Sequence, residues 1–224
     1  MGYGFKVNNI DDTVIVDGTY KNFSFYESGS VTTTGGSPTT VSFATATASL
    51  PLVALRPTEV DTLKGITLIG YTKSGSNWTG FVICNILSSL IYYKVYVSST
   101  PTASEGYGLK VYNSSSDIVF DSSYKYFDIH SVTSVTILKP SLYVSYDVTH
   151  TDISNPYYFL SPVGAWIYGQ GHGGVLGPIV FLKSGVSRLS STSVRVLWIA
   201  IKSGVVDEFI DEGWNPTMSL IILK

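Results

Sequence analysis

Apolar and polar residues alternate along this chain in short runs that are separated by turn-forming residues. Residues 22–25 alternate between polar and aromatic side chains, and residues 126–129 show the same period of two. This period is typical of a β-strand with one buried face. Because such runs recur between turn residues along most of the chain, the pattern predicts an all-β fold.

Pairs of these runs flank short polar segments, and each pair predicts a β-hairpin. Segment 9–12 contains the Asn and Asp residues that suit a tight turn, and segment 72–77 contains a glycine between polar residues. The hairpin that contains segment 72–77 has its predicted counterpart around a glycine-rich loop late in the chain. The predicted hairpins join 4–8 to 13–17, 65–71 to 78–85, 109–112 to 118–121, and 165–168 to 178–183.

Prolines and longer apolar runs predict further strands. Proline cannot donate a backbone hydrogen bond to a sheet, and prolines bound the strands predicted at 51–57 and 156–162. Longer strands are predicted at 89–97 and 193–201, which we align with each other, and an apolar run at 218–223 predicts an extra strand.

One segment near the start of the chain breaks this pattern. Residues 28–40 are mostly Ser, Thr and Gly and hold few groups that could join a core. They are predicted to form a loop or a frayed edge.

The opening of the chain is repeated in its second half. Gly2-Tyr3-Gly4-Phe5-Lys6-Val7 returns as Gly106-Tyr107-Gly108-Leu109-Lys110-Val111, and residues 2–32 align without a gap on residues 106–136. The repeat predicts two tandem duplicated β-sandwich domains of the immunoglobulin-like kind. Their predicted bounds are 1–98 and 106–224, with a linker at 99–105 and the extra C-terminal strand in the second domain.

Composition narrows the classes of partner. Only 13% of the 224 residues are charged, and the formal net charge is −2, so the chain lacks the broad basic surface that nucleic acid or an anionic membrane would require. No apolar run approaches the roughly 20 residues of a membrane-spanning helix, so no membrane insertion is expected. Cys84 is the single cysteine and lies in an apolar run, where a buried side chain is expected.

Motifs for catalysis and cofactor binding fail on context. Residues 169–174 match Gly-x-Gly-x-x-Gly, but the motif must open a helix, and Pro178 instead begins a strand-like run. His130, His150 and His172 are too widely spaced for a local metal site. We therefore expect no catalytic residue, no cofactor and no metal, and we treat the loop carrying His172 as a candidate contact loop.

Aromatic residues are the remaining candidates for contact with a partner. The chain holds 16 tyrosines and four tryptophans, and adjacent tyrosines on one strand put a ring on each face of the sheet. At least one ring of each pair is expected to face outward, where it suits subunit contacts or the stacking of sugars. The candidate interface or ligand residues are Tyr92, Tyr93, Tyr157, Tyr158, Trp166, His172 and Trp214.

The repeated opening resembles a known group of viral proteins. The pattern Gly-Tyr-Gly-(Phe/Leu)-Lys-Val, followed by a polar turn and a closing Asp17 or Asp121, resembles the start of small structural proteins encoded among the tail genes of tailed bacteriophages. The likeness covers about 30 residues of each copy, from residues 2 and 106 onward. It implies a non-enzymatic virion component and assigns no catalytic residue.

The expected function follows from this resemblance and from the fold class. We expect a structural component of a phage virion, associated with the tail or tail tip and assembled in the host cytoplasm. It would contact other virion proteins and further copies of itself. Two alternatives remain open, which are a carbohydrate-binding or receptor-binding module that recognises a host surface glycan, and a capsid decoration protein.

Overall fold

The chain folds into β-strands, as the alternation predicted. The computed structural model describes residues 6–8, 14–17, 23–60, 65–98, 108–136, 145–151, 153–160, 165–169, 178–205 and 217–223. None of these described residues lies in a helix. The all-β fold class is confirmed.

The strands are numbered in chain order. The first eight are β1 (Lys6–Asn8), β2 (Val14–Asp17), β3 (Ser24–Thr32), β4 (Thr39–Thr47), β5 (Leu52–Pro57), β6 (Ile66–Ser74), β7 (Asn77–Asn85) and β8 (Leu90–Val97). The others are β9 (Lys110–Tyr112), β10 (Ile118–Asp121), β11 (Ile129–Thr136), β12 (Ser145–Thr149), β13 (Tyr157–Leu160), β14 (Ala165–Gly169), β15 (Pro178–Arg188), β16 (Ser193–Val205) and β17 (Thr217–Leu223).

Most strands belong to two large antiparallel sheets. One sheet has six strands in the order β11-β17-β13-β5-β8-β3. The other has seven, in the order β12-β16-β15-β6-β7-β4, with β14 paired to β15 beside that path. The sheets enclose one shared hydrophobic core, as in a sandwich.

The predicted hairpins form. Strands β1 and β2 make one small sheet, and β9 and β10 make another. Strands β6 and β7 are joined by the two residues Gly75 and Ser76, where the φ of +58° at Gly75 suits a glycine in a tight turn. Strands β14 and β15 also pair, and residues 170–177 between them lie outside the described part of the chain.

Strand order is mirrored about the centre of each sheet. In the six-stranded sheet β5 and β13 lie side by side, flanked by β8 and β17 and then by β3 and β11. In the seven-stranded sheet β6 and β15 are central, flanked by β7 and β16 and then by β4 and β12. Strands from the two halves of the chain therefore pair directly in both sheets. The tandem duplication and the predicted domain bounds stay predictions.

The predicted alignment of 193–201 with 89–97 is wrong. Strand β16 lies in the seven-stranded sheet, whereas β8 lies in the six-stranded one, where its mirror position is held by β17. The "extra" strand β17 therefore has a positional counterpart. For the same reason β15 and β16, not β14 and β15, mirror the hairpin of β6 and β7. Strand β14 lies between β13 and β15 in the chain, and no described strand of the first half occupies a mirrored position.

Residues 28–40 were predicted to form a loop or a frayed edge: the loop is wrong at both ends of this segment, whereas an edge position holds for β3, which lies at the end of its sheet. Strand β3 continues to Thr32, with Ser28–Thr32 paired to Leu90–Lys94 of β8, and β4 begins at Thr39. Strand β3 is an edge strand, which pairs through its backbone with one neighbour only. Small polar side chains are therefore compatible with a strand at this position. Only residues 33–38 connect the two strands.

The core between the sheets is built by the alternating inward residues of both. The six-stranded sheet supplies Val53, Leu55, Ile91, Val95, Val135, Tyr158, Leu220 and Ile222. The seven-stranded sheet supplies Val41, Phe43, Ile66, Phe81, Ile83, Val148, Val186, Val194 and Val196. Cys84 is fully buried, as expected for a small apolar side chain.

Candidate functional site on the outer face of the six-stranded sheet

The alternation of strand residues divides each predicted tyrosine pair between two faces. Tyr93 points into the core, where its ring centroid lies 5.2 Å from that of Phe81 in an edge-on contact. Tyr158 is also buried in the core. Tyr92 and Tyr157 are half-buried on the opposite side, which we call the outer face.

Arg56 joins the two outward tyrosines. Its guanidinium carbon lies 4.5 Å from the ring centroid of Tyr92 and 4.7 Å from that of Tyr157. Its Nη1 also donates a hydrogen bond to the backbone oxygen of Asn155, at 3.3 Å. Because Arg56 and Tyr92 come from the first half of the chain and Tyr157 and Asn155 from the second, this cluster links the halves.

A second cation lies on the same face. The ammonium of Lys94 is 4.5 Å from the ring centroid of Tyr157. Lys94 and Tyr92 are two residues apart on β8 and therefore share a face. The outer face thus carries two cations on or between aromatic rings, the usual geometry of a cation–π contact.

Backbone hydrogen bonds connect the halves again at one end of this face. The amide of Phe25 donates to the oxygen of Lys125 at 2.6 Å, and the amide of Phe127 donates to the oxygen of Phe23 at 3.1 Å. Ser24 and Tyr126 form the bridge between these bonds. Segments 23–25 and 125–127 are therefore held together over the sheet.

Edge-on aromatic contacts fill the space beneath this junction. The ring of Tyr96 lies 6.1 Å from that of Phe25 and 4.8 Å from that of Phe127, with interplanar angles of 80° and 90°. Phe127 in turn contacts Phe159 at 6.4 Å. These edge-on pairs are favourable because the positive ring edge meets the negative ring face.

A groove of about 610 Å³ opens beside this junction. Its size falls within the range of small-ligand sites, which runs from about 300 to 1,000 Å³. Both halves of the chain contribute to its walls. The lining residues are Phe25, Ser28, Lys94, Tyr96, Lys125, Tyr126, Phe127 and Asp128.

Charge is concentrated at this groove. Burial lowers the pKa of Lys94, and the positive charges of Arg56 and Lys125 lower it further, while Asp128 opposes them. Two cations, Lys94 and Lys125, and one carboxylate, Asp128, therefore line the groove, and the charge of Arg56 also acts on Lys94. The groove is therefore a site of positive potential on a chain whose net charge is −2.

Tyr96, one of the lining residues, keeps its hydroxyl group protonated at neutral pH. Burial raises the pKa of Tyr96 to about 12, and Tyr157 and Asp128 act in the same direction. A protonated tyrosine can both donate and accept a hydrogen bond.

The other predicted site residues fall where the structure does not describe the side chains. Trp166 lies on β14, opposite Leu182 of β15, and its side chain is outside the described part of the structure. His172 and Trp214 lie outside the described residues altogether.

A buried polar pair that the sequence did not indicate lies between the sheets. The Nε2 atom of His150 is 2.9 Å from the hydroxyl oxygen of Tyr158, and both side chains are buried. Burial lowers the pKa of His150, and the charges of His130 and Arg188 lower it further. Burial also raises the pKa of Tyr158. Both groups therefore stay neutral near pH 7.

Sequence reasoning missed the charged members of the outer face. Arg56, Lys94, Lys125 and Asp128 were not among the predicted site residues. A signal for Lys94 was present, because the period of two places it on the same face as Tyr92. No local pattern could have brought Lys125 to Lys94, since they come from different halves.

The described residues contain neither a metal-binding cluster nor a membrane-spanning helix. Within the described part of the chain, no group of three or more His, Cys, Asp or Glu side chains is arranged to hold a metal ion. Among these same residues there is also no helix long and apolar enough to cross a membrane.

Comparisons with protein-family models, with curated proteins and with solved structures found no match.

Proposed function

We propose that this protein is a non-enzymatic structural component of a bacteriophage virion, associated with the tail or tail tip. It acts through contacts with other virion proteins and with further copies of itself. The resemblance of the two Gly-Tyr-Gly segments at residues 2 and 106 to phage tail proteins supports the viral assignment.

The observation that carries the proposed mode of action is strand β11. It is an edge strand of the six-stranded sheet. Its apolar side chains Ile129 and Val132 are 49% and 56% exposed, and it contains neither lysine nor proline. Natural proteins usually protect an edge strand with lysine or proline, because an unprotected edge strand pairs readily with another chain.

Sedimentation velocity tests self-association through this strand. The full chain is expected to sediment as an oligomer, and Val132→Lys is expected to shift it to the monomer, because a charge on the strand opposes pairing. Leu50→Lys is the matched control, since Leu50 is 51% exposed but precedes β5 outside any strand. A monomeric wild-type chain, or equal effects of the two variants, would contradict this mode of action.

Immunogold labelling of phage particles tests the location. An antibody raised against the purified chain is expected to label the tail or its tip in particles made from the genome that encodes the chain. Label on the head would support the capsid decoration alternative instead. An unlabelled particle, with the antibody reactive in the lysate, would contradict a virion role.

A second candidate function is the recognition of a host surface glycan. The observation that favours it is the outer face, where Tyr92 and Tyr157 are half-buried and where Lys94, whose ammonium lies over the Tyr157 ring, also lines the groove. Aromatic rings with polar groups beside them suit the apolar faces and hydroxyls of sugars.

A glycan array tests this second function. Binding of the wild-type chain to a bacterial surface sugar is expected to be lost in the double variant Tyr92→Ala, Tyr157→Ala. Tyr112→Ala is the control, because Tyr112 is 55% exposed on β9, away from this face. An array that is negative for every sugar would remove this candidate.

A further inference from the structure

The groove beside the junction of the two halves combines features that a purely structural role does not require. It has aromatic walls, hydroxyl groups and ammonium groups in one open site. We propose that this groove binds a saccharide that carries a carboxylate group. The inference rests on the second function proposed above and names its site and its class of ligand.

The walls suit a sugar ring. Phe25 and Phe127 are half-buried, and each makes an edge-on contact with the buried ring of Tyr96, so they hold fixed positions. Fixed aromatic rings present apolar surface without a large loss of side-chain entropy on binding. Ser28 also lines the groove and carries a hydroxyl group, and sugar hydroxyls can donate to or accept from such a group.

The charges select an acidic sugar over a neutral one. Lys94 and Lys125 both line the groove, against the single carboxylate of Asp128. The positive charge of Lys125 opposes the protonated form of Lys94, as the charge of Arg56 does, while Asp128 favours it. A carboxylate placed between the two lysines offsets this unfavourable effect, whereas a neutral sugar leaves it unchanged.

Both halves of the chain are needed for this site. Lys94 and Tyr96 come from β8, and Lys125 and Phe127 come from the segment before β11. The hydrogen bonds between residues 23–25 and 125–127 fix the distance between these groups. A single half would hold one ammonium of the pair, and the two halves together form the anion site.

The experiment compares acidic oligosaccharides with their carboxyl-reduced forms. A panel of bacterial oligosaccharides that contain uronic or sialic acids is immobilised, each beside its reduced form, and the full chain is applied. Affinities of the positive pairs are then measured by titration calorimetry. At least one acidic member is expected to bind about tenfold more tightly than its reduced form, as one charge-assisted hydrogen bond would give.

Two charge-removing variants assign the binding to the groove. Lys94→Met and Lys125→Met are each expected to weaken binding of the acidic sugar about tenfold and to leave the weak binding of the reduced form unchanged. Lys73→Met is the matched control, because Lys73 of β6 lies over the ring of Trp78 and not at the groove. Thermal melts of all variants establish that each is folded.

The outcomes separate this inference from the function on which it rests. Equal binding of acidic and reduced sugars, or binding that Lys94→Met and Lys125→Met leave unchanged, would overturn the acidic-sugar site while glycan recognition stands. Absence of binding to every member of the panel would also overturn the acidic-sugar site, and the glycan array described above then decides whether glycan recognition itself stands.

Discussion

The ammonium of Lys110 lies 3.6 Å from a carboxylate oxygen of Asp121, whose side chain is fully buried. The two residues are also backbone partners across β9 and β10. The other carboxylate oxygen of Asp121 accepts hydrogen bonds from the amide of Ser123, at 2.9 Å, and from its hydroxyl, at 2.6 Å. In the first half, Lys6 and Asp17 are backbone partners in the same way. The repeated lysine and aspartate of the motif are therefore cross-strand neighbours in both hairpins. This shared position in the hairpin gives a structural reason for their recurrence.

Replacing Asp121 is expected to destabilise this hairpin. The hydrogen bonds of Ser123, with the nearby charge of Lys110, hold the pKa of Asp121 below its usual value. Asp121→Asn removes the charge and leaves Lys110 beside a neutral group, at an expected cost of about 1 to 3 kcal/mol. Amide hydrogen exchange of residues 109–122 measures the effect locally. Protection that is unchanged in the variant would contradict the prediction.

The same pair gives a pH dependence of known sign. Because the folded pKa of Asp121 is lowered, its stabilisation is present above the unfolded pKa and is lost as pH falls through the folded pKa. The difference in stability between the wild-type chain and Asp121→Asn is therefore expected to shrink from about pH 5 to about pH 2. Urea denaturation across this range measures the difference. A gap that widens on acidification would refute the assignment.

The buried pair of His150 and Tyr158 predicts a second loss of stability on acidification, in a pH range above that of Asp121. The folded pKa of His150 is lowered, so the unfolded chain takes up a proton first as pH falls below about 6.5. Stability is expected to decline from that pH until the folded pKa is reached. The Nδ1 atom of His150 has no hydrogen-bond partner among the described residues, so no neighbour compensates for the added charge.

Melting temperatures between about pH 7 and about pH 5 test this prediction. His150→Gln is expected to flatten the pH profile in this window, above the range in which the carboxylates titrate. His130→Gln is the companion variant, and it is expected to flatten the profile only in part, because it removes a charge that lowers the pKa of His150 but leaves the buried imidazole in place. An unchanged profile in His150→Gln would assign the titration to another group.

Local patterns in the sequence predicted the hairpins well, because the residues of a hairpin specify their own turn. The two residues Gly75 and Ser76 sit between runs that already alternate, and so the pairing of β6 with β7 followed from adjacent residues. The period of two also divides Tyr92 from Tyr93, since successive side chains of a strand point to opposite faces.

The position of each strand in its sheet could not be predicted, because it depends on pairing over long separations. Strands β8 and β16 have similar apolar patterns, yet they lie in different sheets. The groove was missed for the same reason. Lys94 and Lys125 line the same groove because segments 23–25 and 125–127 form backbone hydrogen bonds between the halves. The residues next to either lysine in sequence do not predict these hydrogen bonds.

Arg56 is expected to stabilise the junction of the halves. Arg56→Ala removes two cation–π contacts and the bond to Asn155, at an expected cost of about 1 to 2 kcal/mol. Arg56→Lys keeps the charge but loses the planar group, so an intermediate cost is expected. Lys73→Ala, which removes a single contact with Trp78, is the control for a cation–π contact within one half. Chemical denaturation provides the free energies, and a loss in Lys73→Ala as large as that in Arg56→Ala would contradict a special role for Arg56.

Two glycines of neighbouring strands provide a matched test of the packing in the seven-stranded sheet. Gly80 of β7 lies between β4 and β6, opposite Ser42 and Thr72. A Cβ atom there would overlap the backbone oxygen of Val41, and backbone cannot move aside as a flexible side chain can. Gly80→Ala is therefore expected to cost about 2 kcal/mol or more.

Gly70 of β6 is the control for this substitution. A Cβ atom at Gly70 would meet nothing within 4 Å, so Gly70→Ala is expected to change stability by less than about 0.5 kcal/mol. Urea denaturation of both variants measures the difference, with an unchanged slope indicating that the fold is retained. Equal costs at the two positions would mean that the loss comes from the general replacement of glycine in a strand, and that β4 does not approach β7 as closely as described.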